Sequence, residues 1–222
     1  MLSTRITMGI ILCLDSLHSL AALVEGEIRD QSGRPVANAV VTAIPLQTMQ
    51  AVNDSPTATA ILDQRNREFL PHVLVVRTGT EVSFPNNDSV HHHVYSFSQI
   101  KRFDIKLYKD MPPSPIKFDI PGVAVLGCNI HDWMISYVYV TDAPYFTRTD
   151  ASGHWWLDVP ENSYRLGLWH PYLQQSTAIN LEPFSVMSQH PGYLLHTLSL
   201  KNTLRTGKPP TSLQAEGYKG EP

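Results

Sequence analysis

Residues 127–134, Gly-Cys-Asn-Ile-His-Asp-Trp-Met, set a thiol, an imidazole and a thioether at three-residue steps, Cys128, His131 and Met134. Soft sulfur and nitrogen donors held this close together suit copper. Zinc fits less well, because its sites draw on Cys, His and carboxylates rather than Met. A thiol nucleophile fits least, since no third group in the pattern orients a Cys–His pair. Taken alone, the loop is better read as a buried core cysteine with incidental neighbours. A second, independent ligand motif decides between them.

That motif is His91-His92-His93, inside the stretch 84–95. Side chains alternate along a strand, so three consecutive histidines cannot all point one way. Either His92 faces inward alone or His91 and His93 do so together. Val90 and Val94 share the parity of His92, which selects His92 as the inward ring. Two His and one Cys with a weak axial Met is the ligand set of a blue-copper centre. The expected metal ligands are therefore His92, Cys128, His131 and Met134, holding one type 1 copper.

With those residues in hand, the chain resembles the cupredoxins. Cys-x-x-His-x-x-Met after a strand, with Asn86, His92 and Val94 upstream, is similar to the amicyanin and plastocyanin pattern, and the short loop is most similar to amicyanin. The resemblance implies a Greek-key β-sandwich that carries electrons, with the loop histidine, here His131, as the exit toward a partner. Two positions depart from the family. His93 replaces the usual Asn after the upstream ligand, and Ile130 and Asp132 stand where amicyanin-like loops carry prolines. Without those prolines, extra N–H donors can reach the sulfur. Asp132 favours the more positive, oxidised metal.

The elements that must position these ligands read as strands. Val123–Leu126 and Ile135–Val140 flank the loop as short β-branched and aromatic runs behind a Pro121-Gly122 turn. Further strands are expected at 58–62, 73–76, 81–84, 92–97 and 116–119, with 101–115 as a connection between them. Outside this module, 23–30 and 39–44 read as a strand, a Gly/Pro turn and a second strand, a hairpin that needs more sheet to be stable. Its complement lies at 146–171. Gly26, Asp30, Gly33, Pro35, Val36, Ala39, Val41, Thr149, Asp150, Gly153, Pro160 and Tyr164 together resemble the small sandwich of carboxypeptidase-regulatory, transthyretin-like domains. Trp155, Trp156, Tyr164 and Trp169 are expected in its core. Residues 192–200 alternate like one more strand.

The expected fold is thus all-β, a cupredoxin sandwich inserted in or packed on a second small sandwich. The expected order is a signal peptide at 1–21, the first sandwich part at 22–56, the copper domain at 57–142, the second sandwich part at 143–200 and a disordered tail at 201–222. This arrangement is similar to a group of proteobacterial proteins labelled methylamine-utilisation proteins.

Composition narrows the function further. A net charge of −3 with no basic patch argues against nucleic acid, and 17 prolines favour sheets with many connections over long helices. Arg5, an apolar run to Leu14 and Ser19-Leu20-Ala21 read as an export signal, with an uncleaved anchor as the alternative. Cys13 lies in that leader. A lone cysteine in an exported chain is a liability unless something such as a metal holds it. No membrane span is expected in the mature chain. No paired carboxylates, nucleophile elbow or phosphate loop is present, so the chain is not expected to be an enzyme. The leading expectation is a periplasmic copper protein passing single electrons to a redox partner, a dehydrogenase, cytochrome or oxidase, docking near His131. A copper carrier that also uses His91 and His93, or a non-redox envelope binding protein with a structural metal, are the alternatives.

Overall fold

The computed structural model describes residues 21–48, 59–112, 114–175, 177–187 and 192–201. The expected tail beyond 201, the segment 49–58 and all of the expected leader except Ala21 lie outside the described residues. Every regular element among the described residues is a strand, and the chain is all-β.

One sandwich carries the ligand loop. Its larger sheet runs in the order β6 (Val73–Arg77), β12 (Ile135–Thr141), β11 (Gly122–Gly127), β8 (His92–Ser98), β9 (Lys101–Tyr108). Its smaller sheet runs β10 (Ile116–Phe118), β7 (Thr80–Ser83), β3 (Thr59–Ile61). Phe84, Val94, Phe118, Leu126 and Val138 fill the space between them, and Cys128 and Met134 belong to the same buried cluster. A two-stranded hairpin, β4 (Asp63–Arg65) with β5 (Glu68–Leu70), stands beside these sheets. Residues 101–108, expected as connection, form edge strand β9 instead, paired antiparallel to β8. Charged residues interleave with Phe103 and Ile105, whose side chains pack on the core, as an edge strand with one solvated face requires.

The second sandwich draws on both ends of the chain. One sheet is β14 (His154–Pro160), β1 (Ala21–Asp30), β18 (Gly192–Leu198). The other is β13 (Tyr145–Arg148), β2 (Val40–Pro45), β15 (Asn162–Trp169), β16 (Ile179–Asn180), with β17 (Phe184–Val186) also on β15. The expected hairpin of residues 23–44 forms only at its turn, where Arg29 bridges Pro35 and the Val36 amide donates to the Ile28 carbonyl (2.9 Å); β1 and β2 themselves do not pair. β1 pairs antiparallel with β14 and parallel with β18, while β2 pairs with β13 and β15 in the opposite sheet. Val24 and Ile28 of β1 and Val41 and Ala43 of β2 contribute to one buried core from opposite sheets rather than along a ladder. Two matched turns close the sandwich. Asp30 Oδ1 accepts from the Ser32 and Arg34 amides, and Asp150 Oδ1 accepts from those of Ser152 and His154. Gly33 and Gly153 supply the positive φ each turn needs, 82° and 79°.

The two cores share strands. Along β6 and β12, Leu74, Val76, Val138 and Val140 face the ligand-bearing core, while Val73, Val75, Tyr137 and Tyr139 pack against the other. Period-two alternation thus serves two interiors at once. Trp155, Tyr164 and Trp169 are buried as expected. Trp156 is 55 % exposed, a correction that follows from its position next to Trp155 on one strand.

Candidate metal centre

His92 opens β8, and its side chain is fully buried. His91 is exposed, and His93 turns outward to Asp104, bonding it through Nε2. Parity therefore falls as the Val90/Val94 pattern implies. His91 and His93 do not join the cluster formed by His92, Cys128 and His131, whose ligand atoms all lie within 4.8 Å of one another.

Cys128 follows the end of β11 and is 3 % exposed. The loop folds back on itself: the Cys128 amide donates to the Met134 carbonyl (3.2 Å), and the Met134 amide donates to the His131 carbonyl (2.9 Å). This turn returns Met134 to the core, 1 % exposed, in the same cluster as Cys128. Gly127 is required just before it. A Cβ there would come within 2.8 Å of the Tyr95 ring, which lies over the strand.

The geometry of the three donors is symmetric. Nδ1 of His92 and Nδ1 of His131 each lie 3.8 Å from Cys128 Sγ. Metal–nitrogen bonds of about 2.0–2.1 Å and a metal–sulfur bond of about 2.3 Å, opened to about 120°, place N and S about 3.8 Å apart. The two imidazoles and the thiol would thus fit one first-row ion, with a buried thioether on the same loop. That is a donor set that favours copper over harder ions.

Electrostatics prepare the sulfur. Burial disfavours the Cys128 thiolate, yet the His92 ring and the backbone N–H groups of His93, Ile130 and His131 outweigh it and lower the thiol's pKa. Ile130 thus keeps an amide that a proline would lack. Burial also opposes charge on His92, but its bonds to Cys128 and Asp88 raise its pKa overall. For His131, burial and then the neighbouring His92 charge act together to lower it.

Sequence reasoning missed what stands behind His92. Its second nitrogen, Nε2, lies 3.0 Å from Asp88 Oδ2, so the ring presents Nδ1 to the sulfur and gives its other N–H to a carboxylate. Such a partner fixes the tautomer and orientation of a ligating imidazole. Asp88 is aimed by Asn86, whose Oδ1 accepts the Asp88 amide (3.0 Å) while its Nδ2 donates to the Val90 and Tyr108 carbonyls, both at 2.9 Å. The one legible signal was Asn86 itself, six residues before the ligand.

No family model matches the chain, and no curated protein matches it. Solved structures match part of it. A purple cupredoxin from Nitrosopumilus maritimus aligns at 26 % identity and a TM-score of 0.33, over 38 % of this chain and 99 % of that one. Amicyanin from Paracoccus versutus aligns at 18 % identity and 0.35, over 45 % and 98 %. A copper-containing nitrite reductase (NirK) from Thermus scotoductus SA-01 aligns at 21 % identity and 0.36, over 44 % of this chain; the match spans a quarter, 25 %, of that reductase. These are partial likenesses, and what the site can do follows from its own atoms.

Proposed function

We propose that this chain is a blue copper protein that carries single electrons, binding one type 1 copper through His92, Cys128, His131 and Met134. The observation that carries the reading is the pair of equal 3.8 Å separations from Cys128 Sγ to two imidazole Nδ1 atoms at the buried end of a β core. The metal, when bound, supplies a one-electron couple. Cys128 would hold it through its thiolate, His92 and His131 through ring nitrogens, and Met134 would add a thioether donor that tunes the potential.

The protein's own contribution is rigidity. Ligands on strand ends and a hydrogen-bonded turn keep their places as charge changes, which keeps reorganisation small. His131 is less buried than His92, so an electron passes most readily to a docked redox protein through its ring. Asp132 beside it stabilises the oxidised metal. Among the described residues no helix is long and apolar enough to cross a membrane. The export signal and periplasmic site expected from residues 1–21 belong to this proposal, as does the absence of catalysis by this chain alone.

The test is spectroscopic. Copper-loaded protein should show an intense visible charge-transfer band and narrow copper hyperfine splitting, both lost in Cys128→Ala. A colourless copper-loaded protein contradicts the reading.

A further inference from the structure

Both candidate imidazoles lead, by separate routes, to the backbone of one residue, Arg67. On one side, the His131 ring packs against Trp133 with centroids 5.2 Å apart, and Trp133 Nε1–H donates to the Arg67 carbonyl (3.2 Å). On the other, the Arg67 N–H donates to Asp88 Oδ2 (2.6 Å), the same oxygen that lies 3.0 Å from His92 Nε2. Arg67 is in the turn of the β4–β5 hairpin, where Asn66 and Arg67 both hold left-handed φ, 51° and 57°. That backbone is the primed turn that closes two-residue hairpins, and it aims the N–H and the C=O of Arg67 at different partners.

The hairpin is itself anchored to the segment before His92. Gln64 is fully buried, and its Nε2 donates to the Phe84 and Pro85 carbonyls, both at 3.2 Å. The Gln64 amide also donates to the Pro85 carbonyl (3.1 Å), and Asn87 Nδ2 donates to Asp63 Oδ1 (2.9 Å). The hairpin therefore cannot shift without moving the stretch that carries Asp88.

We propose that the Asn66–Arg67 turn is a clamp that holds the two ligand imidazoles in fixed relation, through Trp133 to His131 and through Asp88 to His92. Trp133, Asp88 and the backbone N–H and C=O of Arg67 are positioning groups, and the atoms they position are ring atoms of the two histidines. As a clamp on a copper site it rests on the function proposed above, but the linkage exists in the metal-free protein and is testable there. The ligand loop and the His92 strand come from separate stretches of the chain, and the clamp joins them through groups other than the proposed ligands. Removing outer partners of this kind typically weakens metal retention about 10–100-fold.

The experiment compares Trp133→Phe and Asp88→Asn. Trp133→Phe keeps a ring beside His131 but deletes the indole N–H. We expect each to release copper to a chelator about tenfold faster, and the double variant to lose less than the product of the two, because both cut one linkage. In metal-free protein, Trp133→Phe should broaden the NMR signals of the His92 ring, on the far side of the turn. Parent release rates in Trp133→Phe, or fully multiplicative effects in the double variant, overturn the clamp. If the chain takes up no copper, the proposed function falls, and the metal-free His92 signals alone decide the clamp: unchanged signals in Trp133→Phe overturn it.

Discussion

Tyr137 meets Trp169 edge to face, with ring centroids 5.9 Å apart, and Tyr139 meets the same indole at 5.1 Å. The strand that leaves the metal loop, β12, is thereby packed on the second sandwich. Arg148 Nη1 adds a hydrogen bond to the Val73 carbonyl across the same junction (3.1 Å). The two sandwiches are joined by shared core, and the metal loop hangs from a strand gripped on both faces.

Trp169→Ala should therefore destabilise the whole chain, by about 3–5 kcal/mol as a buried aromatic truncation. Denaturant unfolding followed by fluorescence and by the copper band should shift together. Loss of the second sandwich with an intact copper band at the same denaturant concentration would show that the two units are independent.

Gly127 is a packing requirement. Gly127→Val drives a side chain into the Tyr95 ring, and overpacking of this kind costs about 1–3 kcal/mol. Tyr95→Ala in the same chain should recover much of that loss, since the clash is with that ring. Thermal unfolding of the single and double variants measures it; equal losses in both would place the strain elsewhere.

His170 links stability to pH. Burial, opposed by its bond to the Ala37 carbonyl and reinforced by nearby His72, lowers its pKa from 6.5 to about 4. Nδ1 accepts the Tyr172 amide and Nε2–H donates to Ala37 O, so the neutral ring is the one that fits. Because the folded pKa is depressed, the unfolded chain binds the extra proton first. Stability is full above about pH 6.5 and falls as pH drops toward 4, by up to about 3 kcal/mol. His72, also lowered chiefly by burial, adds to the slope in the same direction. His170→Asn should flatten the pH dependence of urea midpoints between 4 and 6.5; an unchanged slope contradicts this account.

Removing the metal should leave the fold standing. Cys128 and Met134 are fixed by backbone hydrogen bonds and His92 by Asp88, so the ligands do not need an ion to find their places. Circular dichroism of metal-free protein should match that of the loaded form, with a higher melting temperature on loading by mass action. A metal-free chain that unfolds would favour a structural metal over electron transfer.

The ligand side of this site was legible because it is written in short-range rules. Strand parity selected His92, and the three-residue spacing of Cys128, His131 and Met134 marked the loop. The same parity argument applies to Trp155 and Trp156, which as neighbours on one strand cannot share a core. β9 was readable from Phe103 and Ile105 alternating with charge, but its solvated face made it resemble a loop. What could not be read is what depends on distant contacts or irregular backbone. Asp88 sits in a loop with no period to reveal its aim, and the Asn66–Arg67 turn lacks the glycine that usually announces left-handed φ. The separation of β1 and β2 into opposite sheets is decided by partners far along the chain, β14 and β18 for one, β13 and β15 for the other.

X-ray absorption at the copper edge tests the central claim most directly, because it counts and identifies the atoms bound to the metal. The account predicts one short sulfur path at about 2.3 Å or slightly less and two imidazole nitrogens at about 2.0 Å around one copper per chain, with the short sulfur path gone in Cys128→Ser, where only the longer Met134 thioether can remain. A shell of nitrogen and oxygen alone, or a short sulfur path that persists without Cys128, would contradict it.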